Sequence, residues 1–395
     1  MANPAVPLAE FTPGTSRGRS GWFRAAQTGR GRWWLIDPAG QPFFLRGVNG
    51  ITPLPDGGYV PVLQQLRGWS CNAIGLGASD SLAEASWPFV AAVDFSQTAP
   101  AIRAEGVRLP DVFDLDWPAL ATAEAARVVP RFASNRDLVC WVTDPALAWG
   151  ASVGGPRPSL LQLCLSLEPR FAAYHAAWEF VLALHEGELG QVARAWGEAP
   201  WSNREVVREM TRAGRALRTR GYARDQARWV EEFARRYLTA VGEAVRAADP
   251  HHLVFAGADS AAAGRFVERA FPLVDGIWLG GGELDGSVDG PLIAGDFTWA
   301  TESFLRVPAR GTQRRLTSLE RMLRRGRATG EKLARHPAVV GYAWRAWCDR
   351  EGDRPPFGQG LRHQDGSEAL EHTELLAELN RRAHLLHESS SSPTT

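Results

Sequence analysis

Two carboxylates stand just beyond apolar, β-rich runs, each with a tryptophan close behind in the chain. Asp144 follows the run Leu138 to Val142 in Thr143-Asp144-Pro145-Ala146-Leu147-Ala148-Trp149, and Asp296 follows Leu292 to Ala294 in Pro291-Leu292-Ile293-Ala294-Gly295-Asp296-Phe297-Thr298-Trp299. Paired carboxyl groups suit sugar cleavage: at roughly 5 to 5.5 Å one attacks while the other shuttles the proton, and at about 6.5 to 9.5 Å a water fits between them. The chain has sixteen tryptophans, and indole offers a flat face to a sugar ring as readily as it fills a core, where most of these are expected. Other chemistries have less behind them. Gly280-Gly281-Gly282 lacks the Gly-Lys-Ser/Thr that completes a phosphate loop, and no Gly-x-Ser-x-Gly elbow occurs. His251-His252 falls at the entry end of a strand with no other His or Cys at ligand spacing, and His175 and His185 have no obvious carboxylate triad. No metal and no cofactor is expected.

The elements that must carry these residues alternate in kind. Short apolar runs at Phe43 to Val48, Ala73 to Leu76, Val90 to Phe95, Leu138 to Val142, Leu253 to Ala256, Gly276 to Leu279, Leu292 to Ala294 and Val339 to Trp344 read as eight strands. Helical patterns between them predict strands covered by crossover helices, an α/β fold. The clearest helix is Asp225 to Ala248, where Val230, Phe233, Tyr237, Leu238, Val241 and Val245 form one stripe before Asp249-Pro250 ends it. Residues 21 to 41 read as a hairpin turning at Pro38-Ala39-Gly40, placed to cap the barrel floor. The stretch from Gly150 to Tyr222 is too long for an ordinary connection and carries helices of its own, such as Arg170 to Ala195; after the fourth strand it becomes a helical insertion on the active face. Residues 1–20 and 388–395 are expected to be disordered, leaving 21–387 as a single barrel domain.

The chain from Gly31 to His387 resembles the clan A glycoside hydrolases, in particular the agarase-like (β/α)8 TIM barrels. The opening Gly31-Arg32-Trp33-Trp34-Leu35-Ile36-Asp37-Pro38-Ala39-Gly40-Gln41-Pro42-Phe43-Phe44-Leu45-Arg46-Gly47-Val48-Asn49-Gly50 is the most specific part, supported by Leu109-Pro110-Asp111-Val112-Phe113-Asp114 and Gly341-Tyr342-Ala343-Trp344. The resemblance implies that Asp296 stands at the nucleophile position, where the family carries Glu. It implies that Pro145 and Ala146 replace the Asn and Glu that hold the sugar 2-hydroxyl and supply the acid/base. Arg46 matches the arginine that orients the nucleophile, Trp344 matches a subsite floor, and Asn49, Trp278 and Trp299 are further candidates for substrate contact. Each has a plainer alternative: an ion pair for Arg46 and Asp296, a turn for Asn49, and core packing for the tryptophans. Asp144 shares the strand parity of Ala146 and is the substitute acid to consider, although it matches a structural aspartate lower in the barrel. Glu283, Asp285, Asp289 and Glu302 read as solvated loop charges.

The implied fold is therefore intact while the implied chemistry is broken. An aspartate in a site shaped for glutamate stops about one methylene short, and lapses of about 1 Å cost on the order of a hundredfold. The leading expectation is a catalytically degenerate, carbohydrate-binding or regulatory barrel that takes an oligosaccharide or polysaccharide fragment. The alternatives are an active O-glycosyl hydrolase using Asp296, and a scaffold subunit that meets another protein through residues 150–222 or the barrel exterior. Lys plus Arg equals Asp plus Glu at 44 each, which gives no field to attract nucleic acid or an anionic membrane, and no apolar run reaches membrane-spanning length. With no secretory leader apparent, a cytoplasmic location is expected. Cys71, Cys140, Cys164 and Cys348 are widely spaced and expected as buried thiols.

Overall fold

Phe23, Ala25, Trp33 and Leu35 are apolar residues close to the start of the chain, and the fold buries them by laying an antiparallel sheet under a barrel. In the computed structural model this sheet runs through β1 (Arg24–Gln27), β2 (Trp33–Ile36) and β3 (Pro42–Phe43), with Ala25 opposite Leu35. The structure describes residues 11–52, 59–77, 85–98, 100–104, 107–145, 147, 158–258, 273–280, 288–300, 318–353 and 356–389. The turn at Pro38-Ala39-Gly40 forms as expected, with Gly40 at φ 86° and the Gln41 amide donating to the Asp37 carboxylate at 2.8 Å. Part of the segment expected to be disordered is ordered instead: Phe11 bridges to Thr28 and Arg17 to Ala25. The Arg17 guanidinium lies 4.6 Å from the centre of the Trp33 ring, which explains why so polar a segment stays attached.

Next along the chain come β4 (Leu45–Val48), α1 (Val60–Gly68), β5 (Phe89–Val93), the antiparallel pair β6 (Ala101–Ala104) and β7 (Val107–Pro110), α2 (Trp117–Val128) and β8 (Leu138–Thr143). After α3 (Leu160–Leu165), α4 (Ala172–Leu184), α5 (Leu189–Ala195), α6 (Glu205–Arg212) and α7 (Arg220–Ala248) follow β9 (Leu253–Ala258), β10 (Gly276–Leu279), β11 (Leu292–Phe297), α8 (Leu319–Arg335) and β12 (Val339–Trp344). The chain ends with β13 (Ala346–Cys348), β14 (Gly360–Arg362) and α9 (Leu370–Ser389). A seven-stranded parallel sheet in the order β4-β12-β11-β10-β9-β8-β5 forms the barrel wall. Leu45, Val90, Val142, Phe255, Trp278, Ile293 and Val340 share one core with the floor sheet. This is the expected TIM-barrel α/β class.

The expected strand Ala73 to Leu76 is not a regular ladder strand. It closes the seam between β4 and β5 through separate backbone bonds: Gly75 N to Val48 O at 2.8 Å on one side, Ile74 N to Pro88 O at 2.8 Å and Val90 N to Ile74 O at 3.0 Å on the other. Asn72 N to Arg46 O at 3.1 Å and Gly50 N to Leu76 O at 2.7 Å extend the first side, and side-chain amides add to these bonds. Asn72 accepts from the Arg46 amide at 2.8 Å and donates to Phe44 O at 2.9 Å, and Asn49 accepts from the Leu76 amide at 2.9 Å. The predicted first strand also divides, at Phe44, and Phe95 opens a 3-10 turn rather than ending β5.

Backbone packing groups the residues into two compact units, one holding 1–93, 128–145 and 246–395, the other 94–127 and 146–245. Within the second, the helix expected over Arg170 to Ala195 breaks into α4 and α5. Glu186 and Gly187 adopt φ 56° and 79°, and the Gly187 amide returns to Leu182 O at 2.8 Å, a left-handed helix ending. Two buried polar side chains there are well paired: Asp225 lies 2.7 Å from both His185 Nε2 and Trp196 Nε1, and Gln226 accepts from the Leu161 amide at 2.7 Å. Cys71, Cys140 and Cys164 are buried as expected, whereas Cys348, near the end of an edge strand, is exposed. No helix among the described residues is long and apolar enough to cross a membrane.

Candidate functional site

Asp296 reaches the C-terminal rim of the barrel because β11 is irregular there. Ala294 pairs with Tyr342 and Phe297 with Trp344, so three steps on β11 match two on β12 and Gly295-Asp296 form a bulge, which re-aims a strand-end side chain. Gly295 is required beneath it: a Cβ at that position would lie 1.9 Å from the Trp278 ring. The Asp296 side chain is 27% exposed and its Oδ2 lies 3.5 Å from Arg345 Nη2. Burial pushes its carboxyl up to about 6, while the charges of Arg345 and Arg350 pull the other way. Arg345 was not anticipated. The signal for it was its place directly after the Val339 to Trp344 run, the same strand-end position that singled out Asp296. The Arg345 amide donates to Phe297 O at 2.8 Å, which ties the two strand ends together.

Arg46 is not the partner of Asp296. Its guanidinium turns outward and donates to Asn380 O on α9 at 2.7 Å, near Tyr342 and Cys71, and burial lowers its pKa. The cause is strand parity: Leu45 faces the shared core and a Cβ on Gly47 would meet Leu45 and Ala343 side chains, so the residue between them faces away. Asn49 donates to Gly295 O at 2.6 Å while accepting from the Leu76 amide, so its side chain clasps three strand ends. Asp144 is 3% exposed, at φ 41°, and its amide donates to Val93 O at 2.9 Å. Gly257 lies so near that a Cβ there would sit 2.1 Å from the Asp144 carbonyl. Asp144 is thus an embedded, strained rim residue.

The three tryptophans offer no open face. Trp278, Trp299 and Trp344 are 1%, 0% and 0% exposed. Trp278 fills the barrel over Gly295; Trp299 and Trp344 contact edge to face, their centroids 4.4 Å apart. Trp299 Nε1 donates to His372 Nδ1 at 3.0 Å, leaving His372 Nε2 to donate to Gly358 O at 3.0 Å; burial lowers the pKa of this ring, in keeping with a neutral imidazole. Behind it, Asp349 accepts from the Gly360 amide at 2.7 Å and lies 2.9 Å from His363 Nδ1. Ala146, Glu283, Asp285 and Glu302 lie outside the described residues, and Asp289 is exposed. Among the described residues no group of three or more His, Cys, Asp or Glu is arranged to hold a metal ion.

No family model matches the chain, and no curated protein sequence matches it. Solved structures do. The agarase AgWH50C superposes with a TM-score of 0.71 at 14% identity, covering 98% of this chain and 68% of that one. BpGH50 gives 0.68 at 14% identity, covering 98% and 88%. The fold is that of the agarase-like glycoside hydrolase barrels. Gan42B, a GH42 β-galactosidase from G. stearothermophilus, is more distant, with a TM-score of 0.54 at 13% identity over 89% of this chain and 58% of that one. In this agarase-like barrel, then, Asp296 and Arg345 occupy the ends of neighbouring strands, and Trp278, Trp299 and Trp344 are buried.

Proposed function

We propose that this protein is a catalytically degenerate, glycoside hydrolase-like barrel that binds a saccharide at the Asp296–Arg345 rim in a non-hydrolytic or regulatory role. One observation carries the reading. The position at which the resembling hydrolases carry their acid/base Glu is Ala146, a side chain with no proton to give or take. The charged groups that act on Asp296 among the described residues, Arg345 and Arg350, are both cations, in keeping with this. The agarase and β-galactosidase neighbours make galactose-containing oligosaccharides the first ligands to try. Calorimetry against agaro- and galacto-oligosaccharides is expected to give binding without product formation. Heat from none of them would remove the reading. An active hydrolase is the second reading, favoured by a carboxyl poised near 6, within the range of acid–base work. Turnover that disappears in Asp296→Ala would establish it in place of the first.

A further inference from the structure

Arg345 is poorly compensated for a guanidinium so enclosed. Its side chain is 18% exposed, its Nε is sealed from solvent and meets no acceptor, and its Nη2 stands 3.5 Å from Asp296, too long for a strong charge-assisted bond. Arg350, an exposed residue on the loop after β13, adds a second positive charge on the same carboxylate. One aspartate thus answers two guanidinium groups. Asp349 is engaged with the Gly360 amide and His363, whereas Glu371 Oε1, 3.5 Å from His363 Nε2, is itself buried without a hydrogen-bond partner. What the rim leaves open is the Arg345 guanidinium, whose Nε has no acceptor and whose contact with Asp296 is long.

We propose that the rim selects a saccharide bearing an anionic oxygen substituent, a sulfate ester or a uronate carboxylate, and that Arg345 and Arg350 receive that group. This rests on the saccharide-binding reading above. A guanidinium offers a planar fork of donors that fits both anions, and the aspartate keeps the fork in place until the ligand arrives. A sugar hydroxyl carries no charge, so the under-satisfied guanidinium specifies the substituent and not the ring.

The test is calorimetry on the full chain at low salt with three probes: a neutral agaro-oligosaccharide, a sulfated galactan oligosaccharide of similar length, and an oligogalacturonate. At least one anionic probe is expected to bind about tenfold or more tightly than the neutral one, with affinity falling as salt rises. In Arg350→Gln that preference is expected to shrink toward unity while binding of the neutral probe stays within about threefold, and in Arg345→Gln the anionic probe is expected to lose more affinity than the neutral one. The circular dichroism spectrum and melting point of each variant establish that it is folded. The sulfate and uronate arms identify which anion is received. Equal or tighter binding of the neutral probe overturns the anionic inference and leaves saccharide binding standing. Silence from all three probes overturns both.

Discussion

The barrel holds a carboxylate at each end, and the two are treated in opposite ways. At the floor, Asp249 is fully buried and accepts from Trp141 Nε1 at 2.8 Å, from the His251 and His252 amides at 2.9 and 3.2 Å, and lies 2.6 Å from His252 Nδ1. Burial alone would raise its pKa, but the His252 and Trp141 hydrogen bonds hold it below the usual carboxylate range. At the rim, Asp296 is less buried yet its pKa is raised to about 6, because two guanidinium groups offset only part of the desolvation. The floor supplies one carboxylate with matched donors. The rim leaves another with distant charges and an arginine that is itself unsatisfied. A fold stabilises itself in the first way; the second is the arrangement expected where a ligand has yet to bring the missing partners.

Removing charge at each end separates these treatments most sharply. Asp249→Asn puts an amide among donors, and the loss is expected to be about 3 kcal/mol in urea unfolding at neutral pH, since breaking a buried charged network strands its partners. The corresponding change at the rim has the opposite sign. Asp296→Asn is expected to stabilise by up to about 2 kcal/mol at pH 8, because a raised pKa means that the ionised form is disfavoured in the folded state. As pH rises from the unfolded value near 3.8 toward about 6, native Asp296 holds its proton longer than unfolded Asp296, so wild-type stability declines across that window. The advantage of the asparagine should accordingly vanish below about pH 4. Asp249 contributes in the contrary sense: its stabilisation is present above the unfolded pKa and lost as pH falls through the depressed folded one. Two variants that shifted stability in the same direction would collapse the contrast.

The floor and wall were legible in the sequence for a plain reason. Apolar runs such as Leu253 to Ala256 and Val339 to Trp344 are buried along their whole length, and such runs announce themselves without partners. The seam at residues 72–76 was harder, since Asn49 and Asn72 side chains bond alongside its few backbone bonds and no pattern of hydrophobicity records that. The break between α4 and α5 had a readable cue in Gly187. At the rim, Asp296 was legible as a strand-end carboxylate, but Arg46 was assigned by its match to a motif when period-two alternation, with Leu45 and Gly47 on either side, already sent it outward. The bulge at Gly295-Asp296 interrupts that alternation and hid the pairing with Arg345.

Titration of the two carboxylates by carbon-13 detected NMR sharpens the comparison without perturbing the fold. Asp296 is expected to titrate near 6 and Asp249 below the ordinary range. In Arg345→Met the Asp296 midpoint should rise further, since the nearest compensating charge is gone while burial remains. A midpoint that stayed put would mean that Arg345 does not act on Asp296 in solution, and the rim would lose its distinguishing feature.

The smallest expected effect concerns the indoles below the rim. Trp344 Nε1 donates to Gln359 O at 2.8 Å, and its ring is enclosed by Phe297, Trp299 and His372. Trp344→Phe keeps an aromatic ring but removes this donor, so about 1 kcal/mol of stability should be lost. Saccharide affinity should be unaffected, because a ring with no exposed face cannot stack on a sugar until the packing opens. A tenfold fall in affinity in this variant would show that it does open, and the rim would then bind through its aromatic layer rather than through the charges above it.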